Sequence, residues 1–158
     1  MIRFKIIEIN RYGMGTSVNR ASAGSDLYKR AEPFGIPGML VDGMNVFKVR
    51  EAAYKAGKYV NQGKGPFILE VQTYRYRGHS MSDPAQYRSK EEVSKMREER
   101  DPISNLRFRL INEKVLSEDS IKAIEKEIRE IVSDAADFAQ NSPEPQSSEL
   151  STDVYVDA

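Results

Sequence analysis

A strand–helix–strand pattern in residues 39–74 constrains the fold more than any other feature of the sequence. The apolar run MLV at 39–41 is followed by a turn, and Asn45 stands where a helix N-cap residue is expected. A second strand, FILEVQTY, is predicted at 67–74. Because two strands joined by a helix lie parallel in one sheet, the sequence predicts an α/β fold with a parallel sheet flanked by helices.

The predicted helix has one apolar face, which should pack on this sheet. Its apolar residues recur at helical spacing, and Gly63 is placed to end the helix. These residues are Val46, Val49, Ala53, Ala56 and Val60. A further strand is predicted at 2–9, and residues 10–38, rich in Gly and Pro, are predicted to be mostly loop with one short helix near DLYKR.

The rest of the chain is predicted to be helical. Asp101-Pro102 should start one helix, and Ser117 should cap a longer one. The charge-rich segment KEEVSKMREERD is interpreted as a solvated helix face. The longer helix carries an apolar stripe expected to be a packing surface, formed by Ile121, Ile124, Ile128, Ile131, Ala135 and Phe138. The regions expected are an α/β part at 1–74, a loop at 75–90, a helical part at 91–140 and a mobile acidic tail at 141–158.

The composition narrows the class of protein. Basic and acidic residues are equal at 24 each, so no basic excess supports binding to nucleic acid or to an anionic membrane. There is no cysteine, which excludes disulfides and thiolate metal sites. No apolar run is long enough to span a bilayer, and the first residues lack a signal-peptide pattern. We therefore expect a soluble intracellular protein with no nucleic-acid or membrane partner.

Two loops are of interest because parallel sheets bind ligands at the carboxyl ends of their strands: Asn10–Gly15 and Arg75–Asp83. The second loop contains His79, the only histidine of the chain. Arg75 and Arg88 bracket it, and cations beside an imidazole favour its neutral, hydrogen-bonding form. Such a ring suits a phosphate-bearing or carboxylate substrate, as donor or proton carrier. The alternative is an imidazole with no function.

The first loop, NRYGMGTS, offers two uncharged oxygens. Asn10 carries an amide oxygen, and the turn at Tyr12-Gly13 can direct a main-chain carbonyl to the same point. Neutral oxygens suit a hard cation such as Mg²⁺, which also takes carboxylate and phosphate oxygens. No nearby acidic residue is placed to complete such a set, and the alternative is an ordinary turn.

Three stretches together point to a family. NRYGMGTS, IPGMLVDGMNV and GPFILEVQTYRYRGHSMSDPAQYR closely resemble the alpha subunits of pyruvate dehydrogenase in the thiamine-diphosphate-dependent 2-oxo acid dehydrogenase family. The similarity runs in order from about Ile6 to Pro145. It implies part of a thiamine-diphosphate-binding fold followed by a helical carboxyl-terminal region.

The resemblance also implies roles for single residues. Asn10 through its side chain and Tyr12 through its carbonyl would bind Mg²⁺, which holds the cofactor's diphosphate. Gly13 would belong to the same cofactor-binding turn, and His79 would lie by the diphosphate as the catalytic residue of a loop at the mouth of the site. Arg75, Asp83 and Arg88 would order that loop, and Ser17 and Ser80 match positions that kinases phosphorylate in animal relatives.

The implied function is oxidative decarboxylation of pyruvate, with acetyl transfer to a lipoyl group of the acyltransferase component. The implied partners are a beta subunit, in an alpha-two beta-two assembly, and a lipoyl domain. The family's Gly-Asp-Gly motif, which supplies a carboxylate to Mg²⁺, lies a few tens of residues before the asparagine that corresponds to Asn10. This chain begins nine residues before Asn10. We therefore expect the carboxyl-terminal portion of an alpha subunit, inactive alone.

Three further readings remain open at this stage. The substrate is a branched-chain 2-oxo acid or acetoin in related alpha subunits. A shortened subunit could instead bind the beta chain without catalysis, and a decayed or mis-started gene would have no function. The expected location is the bacterial cytoplasm or, alternatively, the mitochondrial matrix.

Overall fold

The computed structural model describes residues 4–152. The chain divides into two compact units, one up to Arg109 and one from Leu110. The first unit contains a sheet with helices and the loops of interest, and the second is dominated by one long helix. Within the described residues, no helix combines the length and the hydropathy that a membrane crossing requires.

The sheet of the first unit has three strands, and all of its pairings are parallel. They are β1 (Phe4–Ile9), β4 (Gly38–Asp42) and β5 (Phe67–Gln72), in the spatial order β1-β5-β4. The predicted parallel strand–helix–strand unit is therefore confirmed, although residues 2 and 3 of the first predicted strand lie outside the described residues. Two very short strands, β2 (Tyr12–Gly13) and β3 (Thr16–Ser17), form an antiparallel hairpin that the sequence pattern did not indicate.

Helix α2 (Val46–Asn61) connects β4 to β5 and covers one face of the sheet. The side-chain oxygen of Asn45 accepts the amide hydrogens of the two residues at 47 and 48, which confirms the predicted cap. Val46 was expected on the buried face, and this is wrong, since its side chain is 48% exposed. At 3.6 residues per turn it lies about 120° around the helix from the buried Ala52.

The core forms where α2 meets β4 and β5. Its buried residues are Val41, Ala52, Ala56 and Leu69, with Met39, Val49, Phe67 and Val71 packed around them. On the opposite face, a 3-10 segment at Leu27–Phe34 contacts β4 and β5; it stands where a short helix was predicted near DLYKR. The carboxylate of Glu70, fully buried on β5, accepts the amide hydrogen of Tyr28 at 2.9 Å.

Three helices follow the second loop. They are α3 (Lys90–Arg100), α4 (Pro102–Asn112) and α5 (Glu118–Asn141), while a four-residue helix α1 (Val18–Ala21) precedes them in the chain after β3. The Asp101 carboxylate accepts the amide hydrogens of the residues at 103 and 104, and the Ser117 hydroxyl accepts that of Ser120. Both predicted caps are thereby confirmed.

The predicted stripe of α5 is present but is not a buried surface within the described residues. Ile121 is buried, whereas Ile124, Ile128, Ile131 and Phe138 are between 47% and 76% exposed. The physical reason is a lack of surfaces to pack against. Up to residue 152, the unit of α5 otherwise holds only the end of α4, a turn and the short 3-10 segment Ser147–Ser151. A helix of 24 residues is about 36 Å long, which these pieces cannot cover.

The expected mobile tail begins where α5 ends at Asn141. Its first part includes the exposed 3-10 segment Ser147–Ser151, so it is not without structure. Residues 153–158 lie outside the described residues. The four regions expected from the sequence stay a prediction.

Candidate functional site

The two loops meet at the carboxyl end of the sheet, as the parallel arrangement predicts. Thr73, just past β5, donates its amide hydrogen to the carbonyl of Ile9 at the end of β1, at 2.8 Å. A cavity of about 440 Å³ opens beside these strand ends. Ile9, Tyr12, Ser17 and Glu92 are among the residues that line it.

The first loop folds back on itself directly after β1. The Asn10 side-chain oxygen accepts the amide hydrogen of Tyr12 at 3.4 Å, and the carbonyl of Arg11 accepts the amide hydrogen of Val18 at 3.0 Å. Arg11 and Met14 adopt positive φ values of 74° and 52°, which non-glycine residues rarely do. The structure thus brings Asn10 and the Tyr12-Gly13 turn together, in a conformation that its surroundings must hold in place.

The donor set at this turn consists of uncharged oxygens from Asn10 and from the Tyr12 main chain. Within residues 4–152, no cluster of three or more His, Cys, Asp or Glu side chains is arranged to hold a metal ion. Mg²⁺ accepts amide and carbonyl oxygens but also requires carboxylate or phosphate oxygens. Two uncharged oxygens are therefore compatible with Mg²⁺ only when carboxylate or phosphate oxygens complete the set.

His79 lies exposed on the second loop with both its backbone and its ring in contact with other residues. Its amide donates to the Asp83 carboxylate at 2.7 Å, and Nδ1 lies 3.3 Å from the guanidinium of Arg75. A guanidinium only donates hydrogen bonds, so this contact is a hydrogen bond when Nδ1 carries no proton. In that tautomer the ring proton is on Nε2, and His79 presents a donor on its other nitrogen.

Asp83 joins the two ends of the histidine loop. Its carboxylate accepts the amide hydrogens of His79 and Ala85 and the hydroxyl hydrogen of Tyr87, at 2.7–2.8 Å. These bonds, with that of the His79 amide foremost, hold the pKa of Asp83 below its usual value. Gly78 is required beside it, because a Cβ there would lie 2.5 Å from the Asp83 carbonyl oxygen.

Arg75 connects the histidine loop to the first loop. One terminal nitrogen donates to the carbonyl of Met14 at 3.2 Å and to the Tyr87 hydroxyl at 3.3 Å, while the other faces His79. A planar guanidinium can serve several acceptors at once in this way. The two loops thereby become one hydrogen-bonded arrangement.

Arg88 lies beneath both loops among three tyrosine rings. Its guanidinium donates to the carbonyls of Arg75 and Arg77. It also lies 5.7 Å, 5.3 Å and 5.8 Å from the ring centres of Tyr12, Tyr74 and Tyr87, within the range of cation–π attraction. We call Tyr12, Tyr74, Tyr87, Arg88 and Glu92 the tyrosine–arginine cluster.

The sequence interpretation assigned Tyr12 and Arg88 to the site but not Tyr74, Tyr87 or Glu92, and of these Glu92 makes contact with both Tyr12 and Tyr74. Its carboxylate accepts the hydroxyl hydrogens of Tyr12 at 3.1 Å and of Tyr74 at 2.8 Å. Burial, and then the hydrogen bond to Glu92, raise the pKa of Tyr74 to about 12 and raise that of Tyr12 as well. The segment that was interpreted as a solvated face is therefore solvated only in part.

A sequence signal for Glu92 existed. Ser89 and Glu92 have the spacing of a helix start, and the Ser89 hydroxyl accepts the Glu92 amide hydrogen at 3.1 Å. This spacing fixes where α3 begins. It does not show that the Glu92 side chain reaches the tyrosines, because that depends on how α3 packs.

The two candidate phosphorylation residues differ in exposure. Ser80 is exposed, with its hydroxyl 3.1 Å from that of Ser82. Ser17 is half-buried, pairs with Tyr12 in the hairpin and lines the cavity. The structure thus brings together Asn10, Tyr12, His79, Arg75, Asp83 and Arg88, while the roles of these residues and of Ser17 and Ser80 stay predictions.

Comparison with known proteins is consistent with this geometry. The family model described as the dehydrogenase E1 component matches residues 4–148. The pyruvate dehydrogenase E1 component subunit alpha of Rhizobium meliloti is 59% identical over 96% of this chain and 43% of its own length. That of Rickettsia typhi is 49% identical over 96% of the chain and 46% of its length. The mitochondrial one of Sminthopsis macroura is 50% identical over 95% and 41%.

The match covers only part of the length of each relative. The chain spans less than half the length of these curated relatives. The matched residues 4–148 include both loops, the sheet and α5. The chain therefore belongs to the dehydrogenase E1 component family, within which it is similar to pyruvate dehydrogenase alpha subunits.

Proposed function

We propose that the chain supplies part of the alpha subunit of a pyruvate dehydrogenase. Its function there is the oxidative decarboxylation of pyruvate, with transfer of the acetyl group to a lipoyl group. The observation that carries this proposal is the joining of the first loop and the His79 loop at the carboxyl ends of parallel strands, in a chain up to 59% identical to alpha subunits of that name.

Asn10 and the Tyr12 carbonyl would hold Mg²⁺, with Gly13 in the same turn and the remaining ligands coming from a diphosphate and from other parts of the subunit. Thiamine diphosphate, when bound, supplies the nucleophilic carbon and the electron sink for decarboxylation. The part of this chain is to bind and orient. A hairpin held by outside contacts presents its two oxygens at a fixed place, as a metal ligand requires.

His79 would act as a hydrogen-bond donor through Nε2–H, toward a diphosphate or carboxylate oxygen. Arg75 sets this tautomer by donating to Nδ1, and Asp83 fixes the backbone of His79. These contacts hold the ring in one orientation before any ligand arrives. We assign the catalytic role to His79 and the loop-ordering roles to Arg75, Asp83 and Arg88.

Phosphorylation of Ser80 would act against this order. A phosphate dianion on Ser80 would lie three residues from the Asp83 carboxylate, in the loop that Asp83 closes. Repulsion between these charges would weaken the two amide hydrogen bonds and release the loop. Ser17 is a second candidate, whose phosphate would enter the cavity beside Tyr12.

The partners proposed are a beta subunit, in an alpha-two beta-two assembly, and the lipoyl domain of the acyltransferase component. Among residues 4–152, β1 is paired on one side only and Ile6 on it is 62% exposed, which leaves a strand edge and an apolar side chain that a further segment or subunit would cover. We propose a bacterial cytoplasmic location, with the mitochondrial matrix as the alternative.

The test is reconstitution. The chain is joined to the amino-terminal portion of a related alpha subunit, combined with the beta subunit, and assayed for carbon dioxide release. Pyruvate should be turned over faster than 2-oxobutanoate or a branched-chain 2-oxo acid. Replacing Asn10 or His79 by alanine should abolish most of this activity, whereas the control Glu98→Ala, on the exposed part of α3, should not. A preference for a branched-chain substrate, or beta-subunit binding without any turnover, would contradict the proposal.

A further inference from the structure

We propose that Glu92 is a positioning residue, which holds Tyr12 and thereby the metal-binding turn in place. The inference rests on the proposed function, since it matters to catalysis only if the Tyr12 carbonyl is a Mg²⁺ ligand. Glu92 itself touches neither of the two neutral oxygens assigned to the metal. It acts through the hydroxyl at the far end of the Tyr12 side chain.

The Glu92 carboxylate connects the buried Tyr74 to Tyr12 of the first loop. Tyr74 lies two residues beyond the end of β5 and is 7% exposed, so burial restricts the movement of its ring. The Oε1 atom of Glu92 accepts from the Tyr74 hydroxyl at 2.8 Å and from the Tyr12 hydroxyl at 3.1 Å. One acceptor atom therefore ties the position of Tyr12 to that of the sheet.

The carboxylate is itself well placed for this task. Ser89 caps α3 and accepts the amide hydrogen of Glu92, which fixes the Glu92 backbone in the first turn of the helix. The neighbouring Arg88 guanidinium lies against the Tyr12 and Tyr74 rings and brings a positive charge into the same half-buried cluster. Hydrogen bonds to an ionised carboxylate are shorter and stronger than those between neutral groups.

The turn needs such an anchor because it cannot hold its own shape. Its hairpin has two residues in each strand, and an isolated hairpin is marginal even when it is longer. Arg11 and Met14 both sit at positive φ, a conformation that persists only when surrounding contacts impose it. The contacts that reach the turn from outside include the Arg75 bond to Met14, the Tyr87 ring and the Arg88 guanidinium against Tyr12, and Glu92.

If Glu92 holds only the turn, its removal has a different effect from the removal of a contact that stabilises the whole unit. Loss of a local anchor should loosen the turn while the sheet stays closed. Two amides report on these separately: Val18 donates to the Arg11 carbonyl across the turn, and Gly43, directly after β4, donates to the Gln72 carbonyl at the end of β5. Their hydrogen exchange can be followed in the 158-residue chain without cofactor or partner.

The experiment compares Glu92→Ala, Glu92→Gln and the control Glu98→Ala. Loss of a hydrogen bond to a charged group commonly shifts the equilibrium between a closed and an open local structure by about tenfold or more. The Val18 amide should therefore exchange about tenfold faster in Glu92→Ala. Gly43 exchange should be unchanged. Glu92→Gln keeps an acceptor oxygen but loses the charge, so its Val18 exchange should be slower than in Glu92→Ala and faster than in the unchanged chain. Unchanged Val18 exchange in Glu92→Ala, equal acceleration at both amides, or no rescue by glutamine would each overturn the proposal.

A second readout uses the reconstituted complex with thiamine diphosphate. The Mg²⁺ concentration for half-maximal thiamine diphosphate binding, measured by calorimetry, should rise about tenfold in Glu92→Ala, while the half-saturating pyruvate concentration stays the same. A parallel rise in both would contradict a role through Tyr12. If the complex with unchanged Glu92 binds no thiamine diphosphate, the proposed function fails, and the exchange result alone decides whether Glu92 holds the turn.

Discussion

Both compact units contain a helix with apolar residues at helical spacing, but the first unit buries most of these residues at least in part and the second leaves most of them exposed. In the first unit, Leu69 on the central strand is 3% exposed and packs with Val41 and the alanines of α2. In the second, Ile128 stands at the middle of an equally regular stripe and is 53% exposed. The comparison shows that periodicity predicts which residues can be buried, whereas burial itself depends on the surfaces available to cover them.

A matched pair of core substitutions should give the largest difference between the units. Leu69→Ala removes a side chain from a closed core and should lower the free energy of unfolding by about 2–5 kcal/mol. Ile128→Ala, on an exposed helix face, should change it by less than about 0.5 kcal/mol. Urea unfolding of the 158-residue chain, followed by circular dichroism, measures both. An equal loss in the two variants would mean that the stripe of α5 is covered in solution.

A matched pair of arginine substitutions compares the polar contacts of the two units. Arg88 serves two carbonyls and lies among three rings, so Arg88→Ala should lower the free energy of unfolding by about 1.5–3 kcal/mol. Arg129 lies 3.8 Å from Glu125 on an exposed helix face, and Arg129→Ala should cost less than about 0.5 kcal/mol. The same denaturation experiment applies. A smaller loss for Arg88 than for Arg129 would contradict a structural role for the tyrosine–arginine cluster.

Helix caps should have effects of similar size in both units, because they depend on local contacts alone. The Asn45 side chain accepts two amide hydrogens at the start of α2, and the Ser117 hydroxyl accepts one at the start of α5. Asn45→Ala and Ser117→Ala should each cost about 1 kcal/mol of helix stability. The variants Asn45→Asp and Ser117→Asp keep a capping oxygen and serve as controls. A cap that could be removed without loss would show that its helix end is frayed in solution.

The smallest effect expected is a pH dependence of the histidine loop. The folded pKa of Asp83 is lowered by the hydrogen bonds of the His79 amide, the Ala85 amide and the Tyr87 hydroxyl, in that order. The stabilisation is therefore fully present above the ordinary carboxyl pKa and is lost as pH falls through the lower folded value. The Ala85 amide should exchange faster as the solution is acidified, after correction for intrinsic exchange. In Asp83→Asn this additional dependence should disappear.

Sequence reasoning predicted the features that depend on near neighbours. Asn45, Asp101 and Ser117 were identified as caps because a cap and its amides lie within three residues of each other. The parallel strands followed from the helix between them. Both loops were singled out because each follows a strand of the predicted parallel sheet, whereas the contact between them, through Arg75 and Met14, is a finding of the structure.

What sequence reasoning missed depends on packing between distant segments. Glu92 is 80 residues from Tyr12, and nothing near either residue shows that their side chains meet. Val46 belonged to an apolar face in the sequence, but α2 lies on the sheet with a slightly rotated line of residues facing inward. The exposed stripe of α5 is the third case, since its cover depends on which surfaces surround it.

We propose that this chain contributes Asn10, Tyr12 and His79 to the thiamine diphosphate site of a pyruvate dehydrogenase. The most direct test is calorimetric titration of thiamine diphosphate with Mg²⁺ into the chain alone and into the complex that contains the rest of the alpha subunit and the beta subunit. We expect micromolar binding by the complex, loss of that binding in Asn10→Ala, and no micromolar binding by the chain alone. Equally tight binding in Asn10→Ala, or no binding by the complete complex, would contradict it.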